Sequence, residues 1–154
     1  MKTVLPLLLL VLLASPLHAE IRGDLRLGAF IGGNDDPVGT LELEARSHGW
    51  ALAPAYEAVQ GGYDTHATHI NLRKIFQTTK NTYWIGAGPT WVSTNSSSEH
   101  TWNLDAGMAW RLRDDAWEPF VSLRYYNFNL PVFRDNVEEK GAVLQVGISR
   151  RFFK

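Results

Sequence analysis

The chain has no cysteine, which excludes disulfides, thiolate metal sites and a lipid-modified N-terminal cysteine. It also lacks an excess of either charge, with 15 Lys and Arg against 16 Asp and Glu and a formal net charge of −1. That balance gives no reason to expect nucleic acid or a partner reached through a basic patch. Beyond residue 19 no apolar run approaches the roughly 20 residues that a membrane-crossing helix needs. No repeat of solenoid period is visible, and the low-complexity stretch Asn95-Ser96-Ser97-Ser98 reads as a loop. Hydropathy averaged over the chain would suggest a soluble exported protein, but barrel strands alternate and average to near-neutral hydropathy too.

What is present begins with an export signal. Met1-Lys2-Thr3 is a positive start, Val4 to Leu13 is apolar apart from Pro6, and Ser15-Pro16-Leu17-His18-Ala19 ends on a small residue. The pattern predicts a cleaved signal peptide over 1–19 and a single domain over 20–154.

The remainder alternates. From Trp102 to Leu112, Asn103, Asp105, Gly107, Ala109 and Arg111 share one face, while Trp102, Leu104, Ala106, Met108, Trp110 and Leu112 share the other. Strand-like segments recur over roughly 20–32, 38–46, 50–60, 67–76, 82–93, 102–112, 118–128 and 140–153. Their lengths cluster near the roughly 9–11 residues with which a tilted strand crosses a bilayer. Connections at Ser47-His48-Gly49, Thr78 to Asn81 and Arg113 to Trp117 are tight. Those at 33–37, 61–66, 94–101 and 129–139 are longer or more polar. With the N-terminus in the periplasm, short turns fall on one side and long loops on the other, as in an even-stranded outer-membrane barrel. The third segment fits least well, because Pro54 interrupts it and alanine dominates both faces.

Two barrels share this pattern. A soluble calycin-like barrel would turn the apolar face inward around a ligand, and a membrane barrel would turn it outward. Trp50, Tyr83, Trp91, Trp102 and Trp110 lie near strand ends on the apolar face, where bilayer interfaces would be. The other face mixes glycine with Arg22, Asp24, Arg26, Glu42, Glu44, Arg46, Arg73, Asp105, Arg111 and Arg124. Buried charges must be paired, so these predict an ion-pair network filling an interior too narrow to conduct. Lys74 and Arg150 fall on the apolar face near the periplasmic ends, where a charged head can snorkel to the headgroups. The expected architecture is an all-β, eight-stranded antiparallel up-and-down transmembrane β-barrel in the bacterial outer membrane. Its expected partners are outer-membrane lipid and lipopolysaccharide, with the barrel-assembly machinery during biogenesis. The terminal Arg151-Phe152-Phe153-Lys154 resembles the aromatic end recognised in that assembly, and departs from it by finishing on Lys154.

From about His69 to Phe153 the chain resembles the lipid A 3-O-deacylase (PagL) family of eight-stranded outer-membrane barrels. The likeness is carried by Trp84-Ile85-Gly86-Ala87-Gly88, by Asn103-Leu104-Asp105-Ala106-Gly107-Met108 and by Val121 to Asn127. A polar segment with Pro131, Asp135 and Asn136 and a closing strand follow. The resemblance implies the barrel fold, and a His-Tyr-Ser-Asn run on the seventh strand whose His and Ser act as base and nucleophile. Here the chain reads Tyr125-Tyr126-Asn127-Phe128. One register puts Tyr125 and Asn127 at the two catalytic positions, and a shift of one residue puts Arg124 and Tyr126 there. Neither supplies an imidazole with a hydroxyl nucleophile beside it.

The other polar candidates read more plainly. His66 and His69, near Asp64, read as polar loop histidines, with no metal or cofactor expected. Ser98, Glu99 and His100 read as a loop cluster, and Ser122 as an interior hydrogen-bonding group beside Arg124. Tyr125, Tyr126 and Phe128 read as girdle and rim packing. Asp135, Asn136, Glu138 and Glu139 read as an acidic, solvated outer loop. The favoured function is a non-enzymatic outer-membrane barrel with a plugged polar lumen and an envelope-structural or interaction role. A lipid A deacylase and a soluble periplasmic ligand-binding barrel are the alternatives.

Overall fold

The computed structural model describes residues 20–31, 37–60, 65–94, 98–112, 116–132 and 135–153. Eight strands follow in chain order: β1 (Glu20–Ile31), β2 (Pro37–Ser47), β3 (Trp50–Val59), β4 (Thr65–Gln77), β5 (Asn81–Ser93), β6 (Ser98–Trp110), β7 (Trp117–Val132) and β8 (Asp135–Phe153). Each pairs antiparallel with its neighbours, and β1 pairs with β8, closing the barrel. Closure gives every strand a hydrogen-bonding neighbour on each side, so the barrel wall has no edge strand. The expected signal peptide over 1–19 lies outside the described residues.

Local chemistry explains the details of the wall. β2 turns into β3 through His48 and Gly49, both at positive φ (52° and 75°), the paired left-handed geometry that two-residue hairpins favour. The ladders between β2 and β3 and between β4 and β5 each skip rungs, beside Pro54 and Pro89 respectively. Proline has no N–H to give a ladder, so the interruption falls where the donor is missing.

The side-chain alternation runs with a single sense around the circumference. Leu25, Leu27, Leu41, Leu72, Ile85, Leu104 and Val146 are exposed on the outside, while Arg26, Glu42, Arg73, Asp105 and Arg124 are buried within. A barrel with its aliphatics turned inward is therefore not what this sequence forms. We call the end carrying His48-Gly49 the turn rim and the opposite end the loop rim.

Three segments read as loops are strand. Ser98 to Thr101 open β6, because Glu99 and Ser98 stay in register with Val92 and Ser93. Thr65 and His66 open β4, paired with Val59 and Ala58. Residues 129–132 and 135–139, with Asp135, Asn136, Glu138 and Glu139 among them, continue the pairing of β7 with β8 up to Val132↔Asp135, past the last rung of β8 with β1 at Ile31↔Ala142. At the other rim β6 stops at Trp110, two residues short of the expected Leu112.

Candidate functional site

The interior is stacked in layers, each built from alternate residues of neighbouring strands. Towards the turn rim, Trp84 and Phe120 meet edge to face, with ring centroids 5.9 Å apart, among Ala51, Ile75 and Ala109. Both rings sit over glycines on the paired strand, Trp84 over Gly107 and Phe120 over Gly147. A Cβ at Gly107 would lie 2.1 Å from the Trp84 ring, and one at Gly147 would lie 2.5 Å from Phe120. The absent side chains are what admit the rings.

The ionic layer rests on these rings. Arg26 Cζ lies 4.8 Å above Phe120 and Arg73 Cζ 5.6 Å from Trp84, both within cation–π reach. Arg73 is the hub: it reaches Glu42 at 2.8 Å, Glu44 at 2.8 Å and Asp105. Arg26 binds Asp24 at 3.0 Å and also Glu42, and donates to Ser122 at 3.3 Å. Arg124 holds Glu42 at 3.2 Å and Glu57 at 3.1 Å. Nearer the turn rim, Arg22 pairs with Glu20 and, at 2.7 Å, with Glu118, while Arg46 pairs with Glu44 and lies 3.8 Å from Glu118. These guanidinium groups are almost wholly shielded from solvent, so ion pairing sets the cost of keeping them charged. Arg111 stands apart: it lies just beyond β6, with its guanidinium 3.9 Å from Glu118 and a bond to Thr78 O at 3.3 Å.

Above the ions lies a hydrogen-bonded layer with one donor direction. Asn103 Nδ2 donates to Thr90 Oγ1 at 2.9 Å, and Thr90 is 3.0 Å from His69 Nδ1. His69 Nε2 is 3.2 Å from the Tyr126 hydroxyl, which donates to Glu57 Oε1 at 2.7 Å. A single imidazole proton on Nε2 satisfies the whole chain, with Thr90 donating to Nδ1 and Glu57 as terminal acceptor. Thr40 and Gln145 donate to Glu57 Oε2 at 2.8 and 3.2 Å. Val38, Ala67, Val92 and Val143 pack beside Tyr126 at the loop-rim end.

Several of these groups differ from the expectation. His69 is a buried interior residue stacked on Tyr126 (centroids 5.4 Å apart) rather than a loop histidine, because it shares the parity of Asn71 and Arg73. Tyr126 likewise belongs to the interior with Ser122 and Arg124, not to a girdle. Glu57 and Glu118 complete the ionic layer. Glu57 was masked by the alanines of β3, although it is in phase with Ala51, Ala53 and Ala55, and Glu118 is in phase with Phe120 and Ser122.

On the outside, Trp50, Tyr83 and Trp110 form one belt near the turn rim, joined by Phe76, Trp117 and Phe152. Trp91 and Trp102 lie towards the loop rim with Tyr56 and Tyr125. Of the two positions corresponding to the deacylase motif, Tyr125 faces outward, opposite Leu104, and Asn127 is in β7 opposite Lys140, its side chain outside the described region. The exposed His66 is hydrogen-bonded through Nδ1 to the Tyr56 hydroxyl at 2.8 Å and pairs across the strands with Ser93. His100 meets Trp91 edge-on. No group of three or more metal-ligating side chains converges among the described residues.

No protein-family model matches the sequence, and no curated protein matches it. Solved structures do match in fold. The N-terminal β-barrel domain of Pseudomonas aeruginosa OprF superposes with a TM-score of 0.68 at 12% identity, covering 86% of this chain and 97% of that one. Neisserial surface protein A gives 0.60 at 12% identity, over 87% and 97%. The outer-membrane enzyme PagL gives 0.59 at 11% identity, over 85% and 99%. The chain therefore has the closed eight-stranded fold of small outer-membrane barrels, a fold shared by enzymatic and non-enzymatic proteins.

Proposed function

We propose that this chain is a small, non-enzymatic barrel of the bacterial outer membrane, exported through a cleaved signal peptide. Its lumen is plugged by its own side chains, and its role is structural or interactive within the envelope. The observation that carries the reading is the inversion of the faces: Leu104 is 61% exposed while the adjacent Asp105 is 1% exposed, and the same opposition holds from strand to strand. An apolar wall flanked by aromatic belts suits lipid, and a cross-braced ionic interior suits a closed barrel better than a pore. Lipid and lipopolysaccharide are then its immediate surroundings. Fractionation tests the location: the protein should resist carbonate extraction and show a heat-modifiable gel shift. Recovery in the soluble fraction without that shift would refute it.

A second reading, an ester hydrolase acting on lipid A, has one observation in its favour. His66, anchored by Tyr56, lies on the outer surface across from Ser93, a base and a hydroxyl on the face that lipid would meet. Mass spectra of lipid A from cells with and without the protein decide between the two. Unchanged acylation supports the non-enzymatic role, and loss of one hydroxyacyl chain on expression would replace it with the hydrolase.

A further inference from the structure

Lys74 and Arg150 interrupt the apolar outer surface at the turn rim, and both sit on aromatic rings. Lys74 Nζ is 4.7 Å from the centroid of Trp50, its direct partner across β3 and β4. Arg150 Cζ is 5.0 Å from Trp117, its direct partner across β7 and β8, and 5.8 Å from Phe152. Backbone bonds beside each pair fix the geometry, Ile75 N–H to Gly49 O and Arg151 N–H to Ala116 O, both 2.9 Å.

A ring face orients a cation without neutralising it. The buried arginines all have carboxylate partners, whereas among the described residues neither Lys74 nor Arg150 has one. At the loop rim the outward aromatics meet imidazoles instead, Tyr56 with His66 and Trp91 with His100. Among these aromatic pairs, the permanent charge without a carboxylate partner among the described residues therefore lies at the turn rim.

We propose that Lys74 with Trp50, and Arg150 with Trp117 and Phe152, form two separate sites for the phosphodiester headgroup of an anionic phospholipid such as phosphatidylglycerol. The proposal rests on the membrane reading above. The phosphate oxygens would accept from the ammonium or the guanidinium fork, the ring would hold that donor at headgroup depth, and the acyl chains would lie along the aliphatic wall. The sites are four strands apart in an eight-strand circle, on opposite sides of the barrel. Each offers one cation, which suits a singly charged phosphodiester better than a headgroup bearing several phosphates.

Native mass spectrometry of the full barrel, ejected from nanodiscs of equal parts phosphatidylcholine and phosphatidylglycerol, tests this. The wild type should retain up to two phosphatidylglycerol molecules in preference to phosphatidylcholine. Lys74→Gln and Arg150→Gln should each weaken retention of one by about five-fold, the double variant should show no preference, and Lys74→Arg should keep it. Equal retention of both lipids by the wild type, or an unchanged preference in the double variant, would overturn the proposal. So would displacement of phosphatidylglycerol by bisphosphorylated lipid A offered in competition. The heat-modifiable shift, unaltered in every variant, separates a lost lipid site from a lost fold. A wild type that fails to enter nanodiscs would refute the membrane reading and this proposal with it.

Discussion

Arg73 shows how one side chain is held by several others. Three carboxylates converge on it, so Arg73→Met should remove one ion pair from each of Glu42, Glu44 and Asp105. That leaves Glu42 to Arg26 and Arg124 and Glu44 to Arg46, but takes from Asp105 the guanidinium that holds it, whereas Asp105→Ala leaves Arg73 two partners. Removing one member of a buried ionic group costs about 3–5 kcal/mol, and we expect Arg73→Met at the upper end and Asp105→Ala at or below the lower. On the other face, Leu104→Arg should cost about 2–4 kcal/mol if the residue lies near the bilayer midplane. Urea titration of the barrel folded into vesicles, followed by tryptophan fluorescence, measures all three. A neutral Leu104→Arg would contradict the outward assignment. Parity alone makes Asp105 and Leu104 readable in the sequence as opposite faces. It also places Tyr126 with Arg124 and His69 with Arg73, but an aromatic near a strand end and a histidine near a loop have surface explanations that parity must outweigh. Which carboxylate meets which guanidinium is not readable at all, because it depends on the stagger between strands distant in sequence.

At the scale of the element, β5 and β6 depend on an exchange of volume. The Trp84 ring occupies the space above Gly107, where a Cβ would lie 2.1 Å from it. Gly107→Ala should therefore destabilise the barrel by about 1–3 kcal/mol through overpacking. In a Trp84→Leu background the same change should cost markedly less, and the double-mutant cycle reads the difference as coupling. Additive costs would show that ring and glycine are independent. The strands themselves were legible because alternation of period two runs through most of them, least clearly through β3, and the ladder gaps at Pro54 and Pro89 follow from residue type. The ends were less legible. Ser98 to Thr101, 129–132 and 135–139 carry the polar residues of loops, yet are strand because a paired neighbour extends alongside them. A single strand's composition does not report that its partner continues.

Across the whole molecule, the proposed plug consists of the aromatic floor, the ionic middle and the hydrogen-bonded upper layer, stacked along the axis a solute would have to follow. Reconstituted in planar bilayers, the barrel should show no steady single-channel conductance in concentrated KCl, and a stable open level would contradict the plugged-lumen reading. The closed fold was foreseeable from an even number of alternating segments and the two kinds of connection between them. Its layering was not, because each layer is assembled from residues that closure brings to one depth.

The ion pairs have a mechanical consequence as well. Arg73 on β4 ties to β2 and β6, Arg124 on β7 to β2 and β3, and Arg22 on β1 to β7. Most of these ties skip the neighbouring strand and span the hollow, as spokes brace a rim. A barrel held only by its wall can be drawn apart hairpin by hairpin. Here, withdrawing β1 and β2 would strip Arg22 from Glu118 and take Glu42 and Glu44 from Arg73 and Arg124 at once. Under force the wall should hold and then yield in one event.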